Sequence, residues 1–84
     1  NVARQVGLRL GLPHATPAYT VNMACASGLK AISRAAASIA AGESELALAG
    51  GVESMSRAPH YCLDLRRGRK LGDAALVDAI FADG

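Results

Sequence analysis

One cysteine carries the chemistry open to this 84-residue chain. Cys25 closes an apolar, β-prone run, Ala18-Tyr-Thr-Val-Asn-Met-Ala-Cys25. A turn of small residues follows, Ala26-Ser27-Gly28, and then a long alanine-rich helical pattern. The sulfur is therefore expected where a strand stops and a helix starts. N–H groups at a helix start have no internal partners, and the helix dipole favours negative charge there. Both effects stabilise a thiolate, the form of cysteine that attacks an electrophile. The competing reading is a structural thiol, because free cysteine is among the most buried residue types.

The other residues able to do chemistry are scattered. Cys62, His14 and His60 form no CxxC and no zinc-ligand spacing. His14 falls in the loop Pro13-His-Ala-Thr-Pro17 and reads as an exposed histidine. Five positive charges, Arg57, Arg66, Arg67, Arg69 and Lys70, lie between 57 and 72 with Asp64 alone against them. They suit a solvated loop, a subunit contact or the phosphates of a nucleotide-like ligand. Tyr61 is the only aromatic in that stretch, too few for base stacking, so no nucleic-acid partner is expected.

Composition sets the frame. Hydrophobic residues make up 51% of the chain and the mean hydropathy is +0.22, which excludes a disordered polar segment. Aromatics are only 4%, so the chain is expected to pack by close backbone approach, not by filling space with rings. A net charge of +2 points to no polyanion or membrane surface. No signal peptide and no spanning run is seen, and reduced thiols suit a cytoplasmic or organelle-matrix protein. The first residue is Asn1 and already reads as helix, so a piece of a longer chain is expected.

Four elements must position Cys25. A helix over 1–12 follows from Val2, Val6 and Leu10, with Gly11 suited to its left-handed end and Pro13 blocking continuation. A strand covers 18–25, where Asn22 is the odd polar residue and is expected to tie down a neighbouring loop. The helix over 28–41 has a wide apolar face, Leu29, Ile32, Ala35, Ala36 and Ile39, and a second face that is polar only in its first turns. A helix packed on both sides would put the sulfur in a water-poor place. The apolar run 45–50 reads as a second, parallel strand, closing a right-handed βαβ unit. Cys25 and the turn 50–56 would then share the carboxyl edge of a sheet, where ligands bind. The excursion 57–72 follows, and a short helix is expected over 73–83 with Asp73 as its cap.

Two motifs carry a family resemblance. Asn22-Met-Ala-Cys-Ala-Ser-Gly-Leu-Lys-Ala31 and Ala49-Gly-Gly-Val-Glu-Ser-Met-Ser-Arg-Ala-Pro-His60 resemble the acyl-enzyme cysteine segment and the Gly-Gly-x-Glu-x-Met-Ser motif of the thiolase family. That family includes acetyl-CoA acetyltransferases and 3-ketoacyl-CoA thiolases. Leu71-Gly-Asp73, with Asp78 and Asp83-Gly84, is similar to the start of the family's loop domain.

The resemblance implies an α/β protein with the thiolase-like layered αβαβα fold. This chain would supply a βαβ part of the N-terminal half over 1–56 and the start of the loop domain over 57–84. It implies that 28–41 is a central buried helix and that Cys25 is the acyl-thioester nucleophile. The substrates would be coenzyme A and acyl-CoA thioesters, with no metal and no tightly bound cofactor. Neither nucleic acid nor membrane would be a partner, and a homodimer or homotetramer would form when full length. The family's base histidine and second cysteine belong to its other half, and neither His60 nor Cys62 matches them. A ketoacyl synthase shares the fold and a strand-Cys-helix nucleophile. Glu53-Ser-Met-Ser56 and the basic loop favour thiolase over it, and a structural segment without autonomous function is the reading from another class.

Overall fold

The computed structural model describes residues 1–83, so Gly84 of the expected helix stop lies outside the described residues. The described residues divide into two units, 1–52 and 53–84, the second described up to residue 83.

The first unit is built on two helices, α1 (Val2–Arg9) and α2 (Ser27–Ala40). Each begins and ends for a local reason. The Asn1 side chain caps α1 by accepting the Arg4 N–H at 3.0 Å. At its other end Gly11 takes φ 74°, the Leu12 N–H donates to the Gly7 carbonyl and the Gly11 N–H to that of Leu8. This is the Schellman arrangement, and glycine supplies the left-handed residue it needs. α2 ends the same way: Gly42 has φ 74°, Glu43 N–H donates to Ser38 and Gly42 N–H to Ile39. The helix expected over 28–41 thus forms within a residue of its expected ends. That over 1–12 is shorter, because Leu10 to Leu12 are spent on the cap.

Side chains of α1 fasten the approach to Cys25. Arg4 donates from its two terminal nitrogens to the carbonyls of Thr16 and His14, each at 2.8 Å. Asn1 Nδ2 donates to the Ala18 carbonyl at 2.9 Å, and Thr20 Oγ1 donates to Asn1 Oδ1 at 3.0 Å. His14 is exposed, as expected, and serves α1 through its backbone.

Three expectations are not realised within the described residues. The runs 18–25 and 45–50 form no sheet ladder among the described residues. The one backbone pairing in them is local, between Met23 and Cys25 inside the turn. A buried parallel strand is closed by hydrogen bonds to strands beside it, and here Leu46 and Leu48 are 89% and 84% exposed with no strand alongside. α2 is likewise not surrounded: it has no buried residue, and Leu29 is 74% exposed. Its apolar stripe is present, but nothing among the described residues covers it. As a result Cys25 is exposed among the described residues.

The second unit pairs β1 (His60–Tyr61) antiparallel with β2 (Val77–Asp78), His60 opposite Asp78 and Tyr61 opposite Val77. α3 (Ala79–Asp83) follows directly. The helix expected from 73 therefore starts later. Val77 is drawn into the pairing, and Asp78 rather than Asp73 caps the helix, accepting the Ile80 N–H at 2.8 Å. Ala79, at the join, is the one buried hydrophobic residue among those described.

Candidate active site

Cys25 stands one residue before the N-cap of α2, which is Ala26. Ala26 offers no side-chain cap, so the helix start is organised by the turn that precedes it. In that turn Ala24 takes φ 47°. The left-handed region costs an L-residue with a Cβ about 1–2 kcal/mol, because Cβ crowds the following carbonyl. Three side-chain hydrogen bonds offset this. Asn22 Oδ1 accepts the Ala24 N–H at 3.0 Å. Ser27 Oγ accepts the Met23 N–H at 2.8 Å and donates to the Ala24 carbonyl at 2.7 Å. At about 0.5–1.5 kcal/mol each, with solvent-exposed bonds at the low end, they are of the size required. Asn22 is thus exposed and ties down the turn itself, not a neighbouring loop.

These bonds leave a particular vacancy. Of the five consecutive N–H groups 23–27, Met23 donates to Ser27, Ala24 to Asn22, Ala26 to the Met23 carbonyl and Ser27 to the Ala24 carbonyl. The Cys25 N–H alone has no acceptor among the described residues. The N–H groups of Gly28 and Leu29, in the first turn of α2, have none either, as first-turn donors lack intrahelical acceptors. The exposed sulfur and an uncommitted donor therefore sit on the same residue, beside a helix start. Chemically, this can present a nucleophile together with a donor for an oxyanion.

α2 is approached closely at its first turn. A Cβ placed on Gly28 would lie 3.6 Å from the Gly51 Cα. That is ordinary contact, whereas a Cβ on Gly51 would lie 3.2 Å from the Gly28 Cα, so it is glycine at 51 that lets the two backbones come this near, the packing expected of a chain poor in rings. A recess of about 220 Å³ lies on the same part of the helix, lined by Met23, Ala26, Leu29, Lys30 and Ser33.

No histidine, cysteine or carboxylate is hydrogen-bonded to Cys25 among the described residues. Cys62 and His60 fall in the second unit, where they line an open recess of about 690 Å³ with Tyr61, Leu63, Leu65 and Arg66. Of the basic residues nearby, Arg69 pairs with Asp64 at 3.3 Å. Both partners are well exposed, so the pair contributes at most about 1 kcal/mol.

The sequence singles out Cys25 but gives no sign of the left-handed Ala24 or of the hydrogen bonds of Ser27. Alanine gives no sign of a positive φ, since glycine or asparagine is the usual marker. Ser27 was visible only as one of three small turn residues. Its spacing, a hydroxyl three residues after Ala24 and opening a helix, is the signal that could have found it.

A tight turn with a cysteine, a long helix behind it and a glycine-rich segment on the helix start make a cysteine elbow, in a chain whose described residues combine helices with a two-stranded sheet. The model of the thiolase N-terminal domain matches residues 1–84, and the chain belongs to the thiolase family. It is 50% identical over 84 residues to an acetyl-CoA acetyltransferase of Cupriavidus necator, covering all of this chain and 21% of that protein. It is 48% identical over the same length to a probable acetyl-CoA acetyltransferase of Escherichia coli and to a cytosolic acetyl-CoA acetyltransferase of Rattus norvegicus, with the same coverage. The chain spans about a fifth of the length of these curated relatives. No helix among the described residues is long and apolar enough to cross a membrane.

Proposed function

We propose that this chain supplies the nucleophile of a thioester acyltransferase, an acetyl-CoA acetyltransferase of the thiolase type. The observation that carries the reading is the turn 23–27, which leaves the Cys25 N–H as its only uncommitted donor while the sulfur is exposed. Cys25 attacks, as thiolate, the thioester carbonyl of acetyl-CoA. The carbonyl oxygen becomes an oxyanion that the Cys25 N–H faces as donor. Collapse expels coenzyme A as thiolate, which takes up a proton, and leaves an acetyl-cysteine. That acetyl group then passes to the α-carbon of a second acetyl-CoA after loss of its proton; in the reverse direction coenzyme A cleaves acetoacetyl-CoA. The names of the relatives from Cupriavidus necator and Rattus norvegicus support this choice of substrate.

In the same reading, 1–56 belongs to the N-terminal half of a layered αβαβα protein and 57–84 opens its loop domain. The runs 18–25 and 45–50 become strands of its sheet, and the bare stripe of α2 becomes its central packing surface. The proton-transfer groups come from outside these residues, coenzyme A thioesters are the partners, the protein acts in the cytoplasm, and it works as a homodimer or homotetramer. The test is peptide mapping of the intact enzyme after incubation with acetyl-CoA. Acetyl label on the peptide holding Cys25, lost in Cys25→Ala, is expected. Label on Cys62 with none on Cys25 overturns the assignment.

A further inference from the structure

The hydrogen bonds of the turn single out a residue that never touches the reacting atoms. We propose that Ser27 is a positioning residue for acyl transfer: its hydroxyl holds Ala24 in the left-handed conformation, and Ala24 in turn sets the direction of the Cys25 N–H and sulfur. The proposal rests on the reading of Cys25 as nucleophile.

Ser27 acts on both sides of the strained residue. Its Oγ accepts the Met23 N–H at 2.8 Å and donates to the Ala24 carbonyl at 2.7 Å, so the Asn22–Met23 peptide and the Ala24–Cys25 peptide, which bracket the turn at Ala24, are pinned to one atom. The Ser27 N–H donates to the same Ala24 carbonyl at 3.1 Å. Asn22 reaches only the Ala24 N–H. With the hydroxyl gone, the Met23 N–H loses its acceptor and the Ala24 carbonyl keeps only one donor. Ala24 is then free to relax toward negative φ, where its Cβ is unstrained. That rotation swings the peptide joining Ala24 to Cys25, which carries the Cys25 N–H. An oxyanion donor works only if aimed at where the oxygen will be, and a displacement near 1 Å is enough to slow a reaction. Threonine at 27 keeps an oxygen at the same place. Glycine at 24 takes a left-handed φ without the Cβ penalty and needs no clamp.

Four variants of the intact enzyme test this: Ser27→Ala, Ser27→Thr, Ser27→Ala with Ala24→Gly, and Cys25→Ala. Each is read by the single-turnover rate of acetyl loading from acetyl-CoA and by the KM for acetyl-CoA. Ser27→Ala is expected to load about 10–10²-fold more slowly with KM unchanged, the size of effect that slight misplacement of a reacting group produces. Ser27→Thr should recover the rate, and Ala24→Gly should recover part of it in the Ser27→Ala background. Ser27→Ala loading at the parent rate, or both Ser27→Thr and the Ser27→Ala, Ala24→Gly double variant failing to recover activity, overturns the proposal. So does a loss of folded Ser27→Ala protein, by circular dichroism, that matches the fall in rate, which would mark general loss of structure. If Cys25→Ala still becomes acetylated, the nucleophile assignment itself fails, whereas loss of labelling in Cys25→Ala beside full-rate Ser27→Ala removes only the role of Ser27.

Discussion

Adding one methyl group at Gly51 is expected to disturb the start of α2, and adding one at Gly28 is not. A Cβ built on Gly51 would lie 3.2 Å from the Gly28 Cα and 3.6 Å from its nitrogen. The reverse change puts a Cβ 3.6 Å from the Gly51 Cα and 3.7 Å from its nitrogen. Carbon atoms attract best at about 3.5–4.0 Å, so the first methyl is a few tenths of an ångström too close and the second is in ordinary contact. Neither glycine is among those with positive φ, so contact and not backbone strain sets the difference. Overpacking of this kind costs about 1–3 kcal/mol, and the small overlap puts Gly51→Ala near 1. Gly28→Ala lies within α2, where exchanging glycine for alanine is worth up to about 1 kcal/mol in helix propensity, less in the first turn. Denaturant midpoints of the intact enzyme should therefore fall for Gly51→Ala and hold or rise for Gly28→Ala. On the proposed reaction, acetyl loading should also fall with Gly51→Ala, since the displaced turn carries Cys25. Equal midpoints for the two, or a larger loss from Gly28→Ala, would refute the packing argument.

Two further outcomes follow from the same structure. Arg4→Ala removes both bonds to the carbonyls of His14 and Thr16 and is expected to cost about 1 kcal/mol in a urea titration, since water replaces part of what is lost. Arg4→Lys should recover less than half of it, because an ammonium cannot span both carbonyls as the planar fork does. The isolated 84-residue chain is expected to melt without a cooperative transition by circular dichroism. Leu29, Leu46, Leu48 and Phe81 are 74%, 89%, 84% and 92% exposed, and each would contribute about 1.5–3 kcal/mol only on being covered. A sharp melt from the isolated chain would refute that expectation.

What the sequence determined by itself is local or covalent. The α2 helix and its end at Gly42 were legible because alanine-rich propensity and a left-handed glycine act within a few residues. The motifs around Cys25 and Gly50-Gly51 were legible as the marks of a family. The expectation of close backbone approach was legible too, from the shortage of rings, and Gly28 against Gly51 realises it. What needed partners distant in sequence was not legible. The run 45–50 has the composition of a buried strand, but a strand exists only once another lies beside it. Val77 has the spacing for a helix, but pairing with Tyr61 claims it for β2. Ala24 is a different case: its partners Asn22 and Ser27 are only two and three residues away, but its φ of 47° is held by hydrogen bonds with them and not by its own side chain, so alanine shows no mark of it. The sequence therefore points to the cysteine and the local bonds of its turn leave the Cys25 N–H free, while only the tertiary structure, by setting one run beside another, decides which residues become strands.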